Sequence, residues 1–224
     1  HGHRMGFCYV TREALTDNET AQRLAERIAY DFTVFDQHAC LASQACFVEN
    51  GAAITPDTFA DALAQAMDVW LERLPPRSLT MDDAAVLRAA HDQARLAAMM
   101  DTRTRIITPI DRIQGTVVLG PLTTFEPSPL DRFARVVPVD NADTLFQLLA
   151  PVQRFLQCAT IASGPNQNTD TLQQHLASLG VTRFCPPGAM GTPSMVWHHD
   201  GRACLAELVR WCDEETIAPG VSSQ

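Results

Sequence analysis

The segment 31-DFTVFDQHACLASQACFVEN-50 passes from helically spaced apolar residues, through a polar turn, into an apolar run with strand character. Upstream, Leu24, Ile28, Phe32 and Phe35 share one helical face, and Thr16 with Glu19 three residues later has the form of a capping box at its start. Before that helix, "MGFCYV" reads as a strand, and after the turn "ACFVE" reads as another. Strand, helix and strand joined by short connections are the unit of a parallel sheet.

The pattern continues along the chain. Thr55-Pro56 places an N-cap before a proline at the first helical position, opening a helix with Phe59, Leu63, Met67, Trp70, Leu71 and Leu74 apolar, which Pro75-Pro76 ends. A third helix runs from about Thr80 through Val86, Leu87, Ala90 and Ala94 to about Met100. Next come the β-rich runs "RIIT", "GTVVLG", "RVVPV", "LQCATIA" and "VTRFC", with helices at about 141–150 and 169–179, the second closed by Gly180. A final helix over about 202–216 is expected to turn Leu205, Leu208, Val209 and Cys212 inward, ahead of a frayed tail "APGVSSQ". The fold class is α/β, a mainly parallel sheet flanked by helices.

Composition narrows the function. The 224 residues are 46% hydrophobic and 19% charged, the profile of a globular chain. With 17 Lys+Arg against 26 Asp+Glu the net charge is −9, and no basic run interleaved with aromatics is present, so nucleic acid is not an expected partner. No apolar run approaches the roughly 20 residues of a membrane span, and the N-terminus lacks the order of a signal peptide. Seven cysteines without a CxxC pair, five of them in apolar stretches, suggest buried thiols in a reducing compartment; the expected location is the cytoplasm.

Two places carry candidate chemistry. Cys46 lies in the strand, where alternation makes it a packed thiol. Cys40 lies in the polar turn, where a thiol stays accessible and backbone amides converge on an oxyanion. It reads either as a nucleophile or as a small turn residue. "WHHDG", residues 197–201, reads as a zinc site, a base for Cys40, or an aromatic packing residue with a capping turn; no helical His spacing or CxxC accompanies it, and no metal is expected. No G-x-G-x-x-G and no Gly-Lys-Ser/Thr phosphate loop occurs.

The turn and its flanks resemble the catalytic segment of the aldehyde dehydrogenase superfamily, and more closely the long-chain acyl-CoA reductases of the LuxC type, whose nucleophile lies in Asp-Gln-x-x-Cys-x-Ser-Pro-Gln. Here the motif is met by Asp36, Gln37, Cys40 and Gln44, with Ala42-Ser43 where the family has Ser-Pro. "RFCPPGAMGTPSMVWHHDGRACLAELVRWCDEE" is similar to that family's ending. The resemblance implies that residues 1–224 are an aldehyde dehydrogenase-like catalytic domain, and that the nicotinamide-binding half lies upstream of residue 1, where "HGHRMGFCYV" begins abruptly. It implies Cys40 as the residue acylated by a long-chain acyl-CoA or other acyl thioester, with NADPH reducing the S-acyl enzyme to a fatty aldehyde. Gln37, Trp197, His198 and His199 are the implied substrate-lining residues. An acyl-transferring protein subunit is a candidate partner, and the full protein is expected to be a homo-oligomer. Glu126, in "TTFEPSPLDR", is left unassigned because its surroundings do not reproduce the family's cofactor-ribose glutamate motif. The competing classes are a cysteine-dependent thioesterase and a non-catalytic interaction domain.

Overall fold

In the computed structural model, residues 4–203, 205–210, 212 and 214 are described. Seven strands form one sheet in the order β3-β4-β5-β2-β1-β6-β7. They are β1 Met5–Val10, β2 Ser43–Glu49, β3 Arg105–Ile107, β4 Val117–Leu119, β5 Ala134–Val139, β6 Leu156–Ala162 and β7 Arg183–Cys185. Every pairing is parallel except β3 with β4, at the edge. The central strands are apolar on both faces because both faces are covered, and β1 is buried along its whole length.

Helices α1 (Asn18–Thr33) and α2 (Pro56–Arg73) cover one face, packing Ile28, Phe32, Phe59, Leu63 and Met67 against Cys8, Val10, Cys46, Val48 and Val136. Helices α4 (Ala142–Leu149) and α5 (Asp170–Ser178) cover the other, where Leu145, Leu149 and Leu176 meet Phe7, Tyr9, Phe47 and Val137. Helix α3 (Met81–Met100) packs Leu87 and Ala94 on Phe133 near the antiparallel edge. Thr55 caps α2 as expected and Thr80 caps α3, each hydroxyl accepting from the amide three residues on.

Three expectations need correction. Asp17, not Thr16, caps α1, accepting from the Thr20 amide while the Thr16 hydroxyl donates to the Asp17 carboxylate. Phe35 does not continue the buried face of Leu24, Ile28 and Phe32: the helix stops at Thr33, and Phe35 turns out into solvent in a left-handed conformation. No α-helix forms over the described part of 202–216; a 3-10 turn spans Ala206–Leu208, and Leu205, Leu208 and Val209 are exposed. Leu205, Leu208 and Val209 share a helical spacing, but among the described residues no surface buries them, and an isolated turn gains too little to propagate. The tail "APGVSSQ" lies outside the described residues.

Candidate active site

The sheet gathers the amino ends of β5, β2, β1 and β6 side by side. Cys40 precedes β2, Phe133 precedes β5, Arg4 precedes β1, and Gln157 is the second residue of β6. The thiol therefore sits at the amino edge of the parallel strands, and it is exposed. Cys8, Cys46 and Cys158 are buried, as their apolar contexts suggested, Cys185 is half-buried, and Cys212, expected to turn inward, is exposed.

The Cys40 turn is built from an unusual backbone. Phe35, Asp36 and Gln37 all have positive φ, as do Leu130, Asp131 and Arg132 on the segment leading into β5. Left-handed conformations are unfavourable for such side chains, so each triplet persists only where its surroundings over-determine it. Here the two triplets hold each other. The Asp131 amide donates to the Asp36 carbonyl at 3.0 Å. Arg132, with a side chain 3% exposed, donates to the Asp36 carboxylate at 2.5 Å and to the Leu74 carbonyl at 2.6 Å. Asp131, also buried, receives Arg77 at 2.9 Å, and His38 lies 3.3 Å from the same oxygen.

Both glutamines of the motif brace the turn. Gln37, expected to line the substrate, is buried and directs its amide nitrogen at the carbonyls of Ser43 (2.9 Å) and Phe133 (3.2 Å). Gln44 donates to the Arg4 carbonyl at 3.2 Å and accepts from the Ser128 amide at 3.1 Å. Within the turn the Ala42 amide reaches the Ala39 carbonyl at 2.9 Å. Beneath it lies Gly6 of β1, where a Cβ would stand 2.7 Å from the Ala42 carbonyl oxygen and 2.8 Å from the Met190 methyl. Glycine is required there for the turn to seat on the strand.

The WHHDG segment comes to this edge through its aspartate. Asp200, itself left-handed, accepts from Gln157 Nε2 at 2.7 Å and lies 3.2 Å from Arg4 Nε. Its charge is felt at Cys40. The thiol's pKa is raised, first by partial burial and then by the Asp200 carboxylate, against smaller lowering effects of its own backbone amide and Arg4. His199 stands 3.6 Å from Asp200 and its ring tilts against Trp197 with centroids 5.0 Å apart, while the Arg183 guanidinium lies over the indole. His198 and His199 are exposed. The turn His199–Gly201 is thus fastened to β6 and Arg4 rather than to a final helix.

Sequence reasoning missed Asp200 as the group facing Cys40, because 160 positions separate them in the chain. It also missed the Asp36–Arg132 and Asp131–Arg77 pairs, for which "PLDR" offers no local signal. Among the described residues no group of three or more His, Cys, Asp or Glu is arranged to hold a metal. None of the described helices is long and apolar enough to cross a membrane.

The chain has the fold of the aldehyde dehydrogenases. It superposes on the aldehyde dehydrogenase KauB from Pseudomonas aeruginosa with a TM-score of 0.59 and 12% identity, over 88% of this chain and 40% of that one. For a variant of proline utilization A from Bradyrhizobium japonicum the TM-score is 0.61 and the identity 14%, over 87% and 20%. For the P. syringae indole-3-acetaldehyde dehydrogenase AldA, determined with NAD+ bound, it is 0.52 at 12% identity, over 83% and 38%.

The family is narrower than the fold. The model of the acyl-CoA reductase (LuxC) family matches residues 1–211, and the chain belongs to that family. A long-chain acyl-protein thioester reductase from Photobacterium phosphoreum is 23% identical over 188 residues, which is 84% of this chain and 36% of the relative. The chain thus spans about a third of that relative's length.

Proposed function

We propose that this chain is the nucleophile-bearing domain of a reductase that converts a long-chain acyl thioester to a fatty aldehyde, with Cys40 as the acylated residue. The observation that carries this reading is the exposed Cys40 thiol on a turn fixed by two interlocked left-handed triplets. The Cys40 sulfur, as thiolate, attacks the thioester carbonyl; the carbon–sulfur bond to CoA or to an acyl-carrying protein breaks, and that thiol leaves with a proton. One thioester replaces another at nearly equal energy, so the protein's work is positioning and stabilising the oxyanion, for which the Cys40 amide is the donor we assign. Trp197, His198 and His199 form the proposed rim of the acyl pocket, and Gln37 supports its floor. Release of aldehyde then requires a two-electron reductant, which we take to be NADPH.

The described residues do not fit a dinucleotide by themselves. The connections that leave the carboxyl ends of the strands for helices carry few glycines: residues 11–17 and 140–141 have none, residues 50–55 have Gly51 and residues 163–169 have Gly164. A pyrophosphate cradle needs close backbone approach at such a junction. We therefore assign cofactor binding mainly to residues outside this chain, together with the oligomeric state and any acyl-transferring subunit. A cytoplasmic setting suits the free thiols.

The test is acylation. Incubation with a long-chain acyl-CoA is expected to add the acyl group at Cys40, detected by mass spectrometry, and Cys40→Ala is expected to lose it. Label on Cys46, or labelling unchanged in Cys40→Ala, overturns the assignment; free acid released without a nicotinamide favours a thioesterase instead. With NADPH added, the chain alone is expected to yield no aldehyde, and micromolar NADPH binding would overturn the external cofactor site.

A further inference from the structure

Away from the Cys40 edge, a cavity of about 170 Å3 opens between α3 and the sheet face of β4 and β5. Ala90, Ala94 and Ala97 of α3 form one wall, Val118 and Val137 the other, and the cavity runs toward Gly120 at the carboxyl end of β4. Alanines at these three positions leave the space that larger side chains would fill. Glu126 reaches its rim, and one positive charge enters it: Arg135 of β5, whose side chain is 17% exposed.

That charge is incompletely met. Its ion partner is Glu126 at 3.9 Å, beyond hydrogen-bond distance, on a carboxylate that is itself largely solvent-exposed. Its other neighbour is the Phe133 ring, 5.9 Å from the guanidinium carbon to the centroid. No hydrogen bond of the guanidinium to the described residues accompanies these contacts. Burial lowers the pKa of Arg135, with Glu126 acting in the opposite direction. Buried guanidinium groups elsewhere in proteins are hydrogen-bonded to acceptors, since stranding their donors is expensive. Arg132, earlier on the same segment, shows the satisfied case.

We propose that this cavity is a binding site for a short aliphatic monocarboxylate, with Arg135 receiving the carboxylate and the alanine and valine walls receiving the tail. The planar guanidinium fork matches a carboxylate in two parallel hydrogen bonds. At roughly 30 Å3 for each water-sized group, the space takes about six such groups, enough for the pentyl tail of hexanoate with its carboxylate at the guanidinium. Glu126 at the rim repels a dianion such as phosphate about twice as strongly as a monoanion, and the apolar walls offer phosphate nothing. The site is separate from the proposed acylation of Cys40 and does not depend on it.

The experiment is titration calorimetry of the 224-residue chain with hexanoate, beside hexanol as the tail without the charge and inorganic phosphate as the charge without the tail. Saturable hexanoate binding is expected, with hexanol and phosphate each much weaker. Arg135→Gln is expected to weaken hexanoate roughly tenfold or more, because the charge-assisted hydrogen bonds go with the guanidinium. Glu126→Gln, at an exposed position, is expected to tighten it by removing a like charge. Absence of saturable hexanoate binding, equal binding by Arg135→Gln, or phosphate binding as tightly as hexanoate overturns the proposal. Should Arg135→Gln fail to fold, Glu126→Gln decides alone: tighter binding supports the site, and unchanged or weaker binding removes it.

Discussion

Replacing Arg132 by methionine tests whether the interlocked triplets hold the Cys40 turn. The guanidinium is 3% exposed and its partner carboxylate on Asp36 14%. Removing the cation strands a largely buried anion, whose remaining donor among the described residues is the Arg77 amide at 3.3 Å, and deprives the Leu74 carbonyl of its 2.6 Å donor. Breaking one partner of a buried pair costs about 3–5 kcal/mol, and the orphaned carbonyl falls within that figure rather than adding to it. Against a total stability of about 5–15 kcal/mol for a domain of this kind, the shift in a denaturant midpoint would be large. Guanidinium chloride unfolding, followed by circular dichroism, measures it. The companion is the double variant Asp36→Asn/Arg132→Met, which removes the stranded charge and is expected to be less destabilised than the sum of the two singles by more than about 1 kcal/mol. A loss below about 1 kcal/mol in Arg132→Met, or strict additivity in the double variant, would refute the claim that the pair secures the turn.

Two further outcomes follow from the same edge. Asp200→Asn removes the carboxylate that raises the Cys40 thiol's pKa, so the pH midpoint of Cys40 alkylation by iodoacetamide is expected to fall and the rate at neutral pH to rise; an unchanged or higher midpoint would show that Asp200 does not act on the thiol. Gly6→Ala puts a methyl 2.7 Å from the Ala42 carbonyl and 3.1 Å from that of Leu41, backbone that cannot yield as a side chain would, and is expected to cost about 1–3 kcal/mol and to alter Cys40 alkylation; wild-type stability together with a wild-type alkylation rate would show that the turn is not seated on β1.

What was legible in the sequence is what local physics decides. Thr55 caps its helix with its own side chain, and the alternation around Cys46 correctly separates a packed thiol from an accessible one. The site's backbone was not legible. Nothing in "FDQ" or "LDR" announces three consecutive left-handed residues, since glycine is the usual marker, and these conformations are imposed by contacts between segments 96 positions apart. The C-terminal helix failed for the converse reason: Leu205, Leu208 and Val209 carry a helical period, but periodicity stabilises a helix only where a surface buries it.

The position of Cys40 on the sheet bears on how it reacts. In open parallel sheets, ligands usually bind at the carboxyl ends of the strands, where helix amino termini offer free amides to anions. In this chain the termini of α1, α2 and α4 are closed by their own caps: Asp17, Thr55 and Asn141 accept from the amides of Thr20, Thr58 and Thr144, whereas Thr169 makes no such bond at α5. Cys40 stands at the opposite edge, where partial burial and the Asp200 carboxylate both disfavour an anion. A reactive cysteine ordinarily sits in an electropositive site with a lowered pKa. Within this chain Cys40 has the opposite setting: rigidly placed, exposed, and held toward the neutral thiol. Its geometry is therefore supplied by the fold, while burial and the Asp200 carboxylate favour the neutral thiol. Arg4, already paired with Asp200 at 3.2 Å, acts to lower the thiol's pKa, and any movement that parts this pair shifts the balance of charge at the thiol.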